Sequence, residues 1–515
     1  HPFRFAMADG RTARVRFGAV LTRSVFLARR LRRQWQGQEM VGVLLPPSVG
    51  GALVNYAATL AGRIPVNLNY TASSETVAAC ARQCAIQTVI TSREFLERVK
   101  VEVPGRPIYL EDLAAAADVR EKLVAALASW TLPARLLERW LGRGRTASLD
   151  DLATVIFSSG STGDPKGVML THFNIAANVE QIGQVFMLGG RDVVLGILPF
   201  FHSFGFTVTL WLPAVLGIGA IYHPNPLDAR VIGALVARYA ATFMVATPTF
   251  LQAYLRRCSP EDFGSLQYVV VGAEKLPERV ARAFEDTFGL RPLEGYGCTE
   301  CSPVVAVNAR DFRAAGFRQV AAKRGKIGQP LPGITARIVD PDTRQPVAPG
   351  VAGLLLVRGP NVMKGYLGKP EKTAEVLVDG WYVTGDIATV DEDGFLEITD
   401  RLSRFSKIGG EMVPHVKVEE KLHELAGATE QVFAVTGVPD EKKGERLVVL
   451  HTMPDDRLKE TVEKLPSAGL PNLWVPRPKE FFRLDALPYL GTGKLDLRRV
   501  RELALKLTSP TSAAG

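Results

Sequence analysis

The sequence predicts an α/β protein with a large amino-terminal domain and a small carboxyl-terminal domain. Short apolar, β-branched runs alternate with amphipathic helical stretches through the first two thirds of the chain, which is typical of parallel sheets covered by helices. From about Gly325 the sequence changes to short strands separated by turns rich in Gly, Pro and Asp, which indicates a compact β unit. A smaller α/β segment follows residue 400.

The composition supports a globular chain with more than one core. The 515 residues are 47% hydrophobic and 22% charged, and the usual numbers of Gly (47) and Pro (33) exclude collagen-like and low-complexity classes. We expect residues 1–400 to form the large domain, with two parallel-type α/β subdomains and the small β unit. Residues 401–507 are predicted to form a small α+β domain, and residues 508–515 a disordered tail.

The predicted strands are short and apolar. They cover Met40–Leu45, Thr88–Thr91, Thr154–Phe157, Val193–Leu198, Thr242–Ala246 and Tyr268–Val271. Residues 112–141 predict two helices separated near Pro133. The second is basic and amphipathic, so it either packs on the domain or lies on a membrane surface. The segment Val193–Leu227 has no charged residue but is interrupted by proline and glycine, so we expect a buried core that walls an apolar pocket.

The cysteines favour a reduced compartment. There are five, too few and odd in number for a disulfide scaffold. Cys298 and Cys301 form a C-x-x-C pair, but no second pair stands at zinc-ribbon spacing. We interpret both as small packing residues and predict no metal or redox role for them.

Positive charge is concentrated at the amino end. The net charge is +9, and residues 1–150 hold 21 Lys and Arg against 12 Asp and Glu. A cluster lies in a helical pattern, formed by Arg23, Arg29, Arg30, Arg32 and Arg33. It is either a solvated helix face or a docking surface for a membrane, a carrier protein or a neighbouring domain. No nucleic-acid motif accompanies the charge, so nucleic acid is not a predicted partner.

A loop rich in glycine and hydroxyl residues is the strongest local signal. The run from Thr154 to Gly167 reads TVIFSSGSTGDPKG: an apolar strand, then hydroxyls, three glycines and one lysine. Glycines let backbone N–H groups approach an anion, hydroxyls donate further hydrogen bonds, and Lys166 adds a positive charge. Because Lys166 is followed by Gly167 and not by Ser or Thr, this is a phosphate loop of another kind than Walker A.

This loop resembles the phosphate loop of the adenylate-forming enzymes, which include acyl-CoA and acyl-carrier-protein synthetases, adenylation domains and luciferases. The likeness extends over about residues 15–500 and rests on further motifs in the family's order: PFFHSFG (199–205), VGAE (271–274), GYGCTE (295–300), WYVTGD (381–386), Asp400-Arg401 and GTGK (491–494). It implies the adenylate-forming fold, with a mobile carboxyl-terminal domain, and ATP and Mg²⁺ as cofactors.

The resemblance also assigns roles to individual residues. The phosphate-binding set is Ser158, Ser159, Gly160, Ser161, Thr162, Gly163 and Lys166. Thr299 would contact the α-phosphate, Glu300 would bind Mg²⁺, and Asp386 would accept hydrogen bonds from the ribose. Adenine would lie against Tyr296, Gly297 and the backbone of Gly272, Ala273 and Glu274.

Six more positions complete this assignment. Arg401 would lie near ribose and phosphate, and Lys494 would bridge the carboxylate and the α-phosphate during the attack. Asp400 is the expected hinge of the small domain. Gly409 and Gly410 would face the pantetheine channel, and His202 corresponds to the acyl-pocket gate.

The segments VNLNYTA (66–72) and RFSKIGGEMV (404–413) narrow the likeness to the synthetase half of bifunctional 2-acylglycerophosphoethanolamine acyltransferase/acyl-ACP synthetases. That implies transfer of a fatty acid to acyl carrier protein, an acyltransferase domain ahead of His1, and a place on the cytoplasmic side of the inner membrane. Two alternatives stay open: a fatty acyl-CoA synthetase, which shares every core motif, and an acyltransferase or membrane-docking module without adenylation.

Two features do not fit the pattern simply. Many relatives carry an acidic residue at the position of Arg404, so the contacts of this arginine in the small domain are an open question. His223 and Asp228 match the H-x-x-x-x-D acyltransferase signature, but they lie inside the adenylating core, and we interpret the match as a coincidence.

Overall fold

The computed structural model describes residues 1–116, 118–142, 144, 146–158, 165–401, 404–408, 411–428, 430–440, 443–489 and 495–508. Two compact units are present. The first comprises His1–Arg337, Leu356–Val383 and Asp391–Glu397, and the second Ile338–Leu355, Thr384–Val390 and the chain from Ile398 onward. The division at residue 400 expected from the sequence stays a prediction, and the predicted tail lies almost entirely outside the described residues.

The first 141 residues alternate between strands and helices. Their elements are β1 (Phe5–Asp9), β2 (Val15–Arg16), α1 (Phe17–Leu31), β3 (Met40–Val43), α2 (Val49–Leu60), β4 (Ile64–Asn67), α3 (Ser74–Gln83), β5 (Thr88–Thr91), α4 (Arg93–Arg98), β6 (Arg106–Tyr109), α5 (Leu110–Ala115), α6 (Val119–Thr131) and α7 (Ala134–Trp140). Pro133 separates α6 from α7, as predicted, because proline cannot donate the next helical hydrogen bond.

The alternation continues to residue 307. This part contains β7 (Leu152–Ser158), β8 (Lys166–Thr171), α8 (His172–Val185), β9 (Val193–Gly196), a π-helix (Gly205–Trp211), α9 (Leu212–Leu216), β10 (Gly219–Tyr222), α10 (Ala229–Tyr239), β11 (Phe243–Ala246), α11 (Pro248–Arg257), β12 (Tyr268–Val271), α12 (Glu278–Phe288), β13 (Leu293–Gly297) and β14 (Val304–Val307).

Short strands dominate the next hundred residues, and the last part is mixed. The elements are β15 (Phe312–Ala314), β16 (Phe317–Gln319), β17 (Gln329–Pro330), β18 (Thr335–Val339), β19 (Gly353–Arg358), β20 (Gly365–Tyr366), α13 (Pro370–Val376), β21 (Leu377–Val378), β22 (Trp381–Val390), β23 (Leu396–Arg401), β24 (Phe405–Ile408), β25 (Glu411–Pro414), α14 (His415–Ala426), β26 (Phe433–Asp440), β27 (Gly444–His451), α15 (Asp455–Lys464), β28 (Phe481–Arg483) and α16 (Leu497–Thr508).

Two sheets of the first unit have parallel cores, which confirms the predicted α/β class. One has nine strands in the order β17-β14-β13-β12-β11-β9-β10-β1-β2, and its six strands from β13 to β1 run parallel. The other has the order β4-β3-β5-β6 and is parallel throughout. A three-stranded antiparallel sheet, β20-β8-β7, carries the ends of the phosphate loop.

Most of the uncharged segment from Val193 to Leu227 is buried core, and it does not form one membrane-length helix. It is broken into β9, the π-helix, α9 and β10, and both strands are buried along their whole length. Within the described residues, no helix is long and apolar enough to cross a membrane.

The second unit has its own core around a five-stranded sheet, β25-β24-β27-β26 with β28 beside β27. Val413, Leu422, Phe433 and Val449 are fully buried there. The same unit contains the contacts of Arg404, which the sequence left open. A guanidinium nitrogen of Arg404 lies 2.5 Å from Oε2 of Glu419, whose side chain is only 5% exposed.

Arg404 and Glu419 form a buried ion pair within one unit. Glu419 Oε1 also accepts a hydrogen bond from the Val435 backbone N–H at 2.7 Å, so both carboxylate oxygens are used. Burial raises the pKa of Glu419, and Arg404 opposes that rise by stabilising the charged form. Nearby, Ser406 Oγ and His415 Nε2 are 2.8 Å apart, and burial lowers the pKa of His415 to about 3, so this imidazole is neutral.

Replacing Arg404 tests this pair. In Arg404→Met the Glu419 carboxylate stays buried without its cation, which is expected to cost about 3–5 kcal/mol of unfolding free energy. Hydrogen exchange of the β26 amides measures that loss locally. The double variant Arg404→Met/Glu419→Gln, which keeps an acceptor for Val435, should recover more than half of it. A single variant as protected as the wild type contradicts a stabilising pair.

Glu294 on β13 makes the stability of the fold depend on pH. Burial raises the pKa of its carboxyl to about 7, so the folded state binds a proton more tightly than the unfolded state. This contribution to stability is therefore present at acidic pH and is lost as pH rises through about 7.

Urea unfolding at pH 5.5 and pH 8 measures the Glu294 contribution. The free energy of unfolding of the wild type should fall between pH 5.5 and pH 8. Glu294→Gln should remove about 1–2 kcal/mol of that fall, a figure reduced because the carboxyl is partly exposed. Glu75→Gln, at an exposed position of α3, is the control and should leave the pH dependence unchanged. Identical pH profiles for wild type and Glu294→Gln contradict the assignment.

Candidate functional site

The site lies where the parallel strands of the nine-stranded sheet end. The segments after β9, β11, β12 and β13 carry His202, Thr247, Gly272 and Thr299 in turn, and the carboxyl ends of parallel strands share one edge. Ligands of open α/β sheets bind at such an edge. Three of the predicted motifs therefore meet here because of topology alone.

Both ends of the phosphate loop are held by an antiparallel strand pair. Ser158 ends β7 and stands opposite Lys166, the first residue of β8. Both residues are half-buried. Ser159, Gly160, Ser161, Thr162 and Gly163 lie outside the described residues, so their phosphate-binding role stays a prediction.

A tyrosine joins the loop lysine to the predicted magnesium ligand. The Nζ atom of Lys166 lies 5.4 Å from the centroid of the Tyr366 ring. The Tyr366 hydroxyl donates a hydrogen bond to Oε1 of Glu300 at 2.9 Å. Burial raises the pKa of Tyr366, and the negative Glu300 raises it further, so the hydroxyl remains a donor. Lys166, Tyr366 and Glu300 thus form one cluster.

Tyr366 belongs to none of the motifs found in the sequence. It lies on the two-residue strand β20, which pairs with β8 so that Tyr366 is opposite Val168. The Met363 N–H also donates to the Glu300 carbonyl at 2.7 Å. This segment therefore supports Glu300 twice, through its backbone and through its side chain. The Gly365-Tyr366 pair preceding a helix was the available signal, but nothing in its spacing indicates Glu300.

The turn after β13 places Tyr296, Gly297, Thr299 and Glu300. Tyr296 is half-buried, and residues Thr299–Cys301 form one turn of 3₁₀-helix. A Cβ atom on Gly297 would lie 2.2 Å from the Pro303 carbonyl oxygen, so only glycine fits at this position. Cys301 is buried and Cys298 half-buried. No group of three His, Cys, Asp or Glu suited to a metal occurs among the described residues.

His202 stands at the surface of a tight loop. Its side chain is exposed, and its ring centroid is 4.6 Å from that of Phe201. A Cβ atom on Gly205 would lie 2.1 Å from the Pro199 carbonyl oxygen, which explains the glycine at the start of the π-helix. Ser203 Oγ donates to Thr299 Oγ1 at 3.4 Å, so this loop contacts the turn after β13. Its role as acyl gate stays a prediction.

The predicted adenine-binding backbone follows β12. Ala273 has a φ of +68°, in the left-handed region that L residues adopt rarely. Glu274 is exposed, and its Oε2 accepts a hydrogen bond from Thr249 Oγ1 at 3.3 Å. Gly272 and Ala273 therefore present main-chain groups at the same edge as Tyr296.

The other predicted positions belong to the second unit. Asp386 is 7% exposed, and its N–H donates to Thr384 Oγ1 at 3.0 Å. Asp400 and Arg401 end β23. Gly409, Gly410 and Lys494 lie outside the described residues. The roles assigned to these six residues are still predictions.

The His223–Asp228 match is a local contact. His223 Nε2 lies 3.0 Å from Asp228 Oδ2, and Asn225 Nδ2 donates to Asp228 Oδ1 at 2.8 Å. The three side chains fix the loop between β10 and α10. This arrangement agrees with a structural role inside the core and does not involve the site.

Comparison with known proteins gives the family. The AMP-binding enzyme model matches residues 1–367. The chain is 35% identical over 361 residues to the long-chain-fatty-acid--CoA ligase of Salmonella typhimurium, which is 69% of this chain and 62% of that ligase. It is 32% identical over 507 residues to the corresponding ligase of Yersinia pestis, with 93% and 87% covered.

A feruloyl-CoA synthase of Amycolatopsis is 32% identical, and 97% of each chain is covered. Among solved structures, ATP-bound MatB from Rhodopseudomonas palustris superposes with a TM-score of 0.79 at 25% identity, covering 99% of this chain and 97% of MatB. The Bacillus subtilis O-succinylbenzoate CoA synthetase with ATP and magnesium gives a TM-score of 0.78 at 23% identity, with 97% of each chain covered, and shows the shared fold.

These matches agree with the glycine-rich loop between β7 and β8 and with the Lys166–Tyr366–Glu300 cluster. The chain belongs to the AMP-binding, adenylate-forming enzyme family.

Proposed function

We propose that this chain activates a fatty acid with ATP and passes the acyl group to a thiol. The acid's carboxylate oxygen would bond to the α-phosphorus of ATP while the bond to the β-phosphate breaks, giving acyl-adenylate and pyrophosphate. A thiolate sulfur would then bond to the acyl carbon, and AMP would leave. The observation that carries the proposal is the Lys166–Tyr366–Glu300 cluster, where a cation and a carboxylate meet at the end of the phosphate loop.

The residues present suit ATP with Mg²⁺. Mg²⁺ is bound by one or two carboxylates together with phosphate oxygens and water, and Glu300 supplies such a carboxylate. The bound ion would neutralise phosphate charge as pyrophosphate leaves. Tyr366 holds one oxygen of Glu300 and leaves the other for the ion. Lys166 would hold the β- and γ-phosphates, and Gly272 and Ala273 the adenine edge.

Coenzyme A is the first candidate for the acceptor. Relatives from three genera are named as CoA ligases or a CoA synthase, and two of these are matched over 93% and 97% of the present chain. The long uncharged segment 193–222 supplies apolar core beside the His202 loop, which suits an alkyl chain. A fatty acid is therefore the proposed substrate.

Acyl carrier protein is the second candidate. Arg23 and Arg33 of the amino-terminal basic cluster are exposed, and an acidic carrier would be attracted to them. The likeness of residues 66–72 and 404–413 to acyl-ACP synthetases points the same way. An acyltransferase domain ahead of His1 belongs to this second candidate only.

The acceptor is measured with the purified chain, ATP, Mg²⁺ and labelled palmitate, offering CoA and holo-acyl carrier protein in separate reactions. Label on CoA alone supports the first candidate, and label on the carrier alone supports the second.

Lys494→Ala should lower pyrophosphate release at least about 100-fold, since this lysine would neutralise charge during the attack.

Two results contradict the proposal as a whole. One is no palmitate-dependent pyrophosphate release by the wild type. The other is normal release by Lys494→Ala, which would remove the assigned lysine from the first half-reaction.

Tyr366→Phe tests the cluster. Loss of a hydrogen bond to a charged group costs about 1.5 kcal/mol or more, so the Mg²⁺ concentration for half-maximal pyrophosphate release should rise about tenfold. Tyr254→Phe is the matched control, because its hydroxyl donates to the Pro226 carbonyl, which belongs to none of the motifs assigned to the site. An unchanged Mg²⁺ dependence in Tyr366→Phe would remove Tyr366 from the site.

A further inference from the structure

Helix α6 presents an apolar stripe to solvent. Val119, Leu123, Leu127 and Trp130 are each between 57% and 66% exposed. Their spacing of four, four and three residues places them along one side of the helix. The opposite side, with Ala125 and Ala128, is buried in the core that α6 shares with α1.

The stripe extends beyond α6. Phe3 is 71% exposed and its ring centroid lies 6.0 Å from that of Trp130. We call these five residues the α6 face: Phe3, Val119, Leu123, Leu127 and Trp130. Single exposed apolar residues are ordinary, but a contiguous group of large ones marks an interaction site.

Of the two alternatives that the sequence left open for residues 132–141, the structure agrees with packing on the domain. The basic helix 132–141 was a candidate for membrane contact, but α7 buries Leu137 and the residue after it, Leu141, in the core. Arg29 of the basic cluster is stacked on Trp140, with the guanidinium carbon 4.6 Å from the ring centroid. The apolar surface belongs mainly to α6.

Basic side chains surround the face. The segment Val119–Trp140 has four exposed basic residues: Arg120, Lys122, Arg135 and Arg139. Its two acidic residues are Glu121 and Glu138, and Glu121 lies 2.5 Å from Arg30 in an ion pair. The basic cluster adds two more exposed arginines, which are Arg23 on α1 and Arg33 just after it.

We propose that the α6 face docks on the surface of a bilayer that contains anionic lipids. An amphipathic helix lies in such an interface with its apolar side among the acyl chains, and Lys and Arg bind the headgroups. Trp130 fits the interfacial position that tryptophan favours. A symmetric dimer through this face would bring two surfaces together that both carry exposed Arg120, Lys122 and Arg135, which like-charge repulsion opposes.

A pocket on the neighbouring side of α1 agrees with a lipid partner. It has a volume of about 260 Å³ and is lined by Phe17 and Leu21 of α1 and by Tyr56, Trp211 and Ala220. Leu21 is 38% exposed, so the pocket reaches the surface beside α1. A Cβ atom on Gly18 of the same helix would lie 2.8 Å from the Trp130 ring. The α6 face and this apolar pocket therefore flank one helix.

Vesicle binding tests the proposal with the full chain. The wild type should co-sediment with vesicles of mixed phosphatidylglycerol and phosphatidylcholine, and more weakly with phosphatidylcholine alone or at high salt. Leu123→Ser/Leu127→Ser should lower the partition coefficient at least tenfold. The control is Leu227→Ser/Val231→Ser, a pair 51% and 44% exposed near the start of α10, which should bind as the wild type does.

Both double variants change exposed residues, so their thermal unfolding midpoints should match the wild type. Trp130 gives a second measurement, since vesicles should shift the wild-type fluorescence to shorter wavelength and Trp130→Phe should reduce that shift. Vesicle binding by Leu123→Ser/Leu127→Ser equal to that of the wild type overturns the proposal. So does a wild-type dimer that these substitutions dissociate, or equal binding to charged and uncharged vesicles.

Discussion

The hydrogen bond from the Tyr366 hydroxyl to the Glu300 carboxylate connects two sheets of the first unit. Tyr366 lies on the sheet that carries both ends of the phosphate loop, and Glu300 follows β13 of the nine-stranded sheet. The relative positions of the Lys166 ammonium, the Tyr366 hydroxyl and the Glu300 carboxylate therefore depend on how these two sheets are placed against each other. Because the donor is buried and stays protonated, the contact does not depend on pH in the neutral range.

Much of the fold could be predicted from the sequence. The strands β5 and β12 have the predicted bounds, because the polar and glycine residues on either side of an apolar β-branched run determine where the strand begins and ends. Motifs alone assign Lys166 and Glu300 to one site, and the structure places both beside Tyr366, while their roles stay predictions. Tyr366 could not be predicted, because a two-residue strand has no periodicity and its partner is 66 positions away.

The sequence also could not predict which residues of α6 and α7 are buried and which are exposed. Both α6 and α7 are amphipathic, and both contribute side chains to the core that includes α1. Leu137 and Leu141 take buried places, whereas Leu123 and Leu127 remain outside. Helix α6 still packs closely on α1, where Gly18 lies against the Trp130 ring and Thr22 Oγ1 is 2.9 Å from Ser129 Oγ. A pattern within one helix contains no information about its neighbour.

Gly205 and Gly297 restrict how this site can change. Each is pressed against a carbonyl oxygen, of Pro199 and Pro303 respectively, at a distance that leaves no room for a methyl group. A library that randomises either loop to accept new acids will return glycine at both positions. Useful diversity has to come from their neighbours, such as Phe201, Ser203 and Tyr296, whose side chains can vary while the backbone path of both loops is kept.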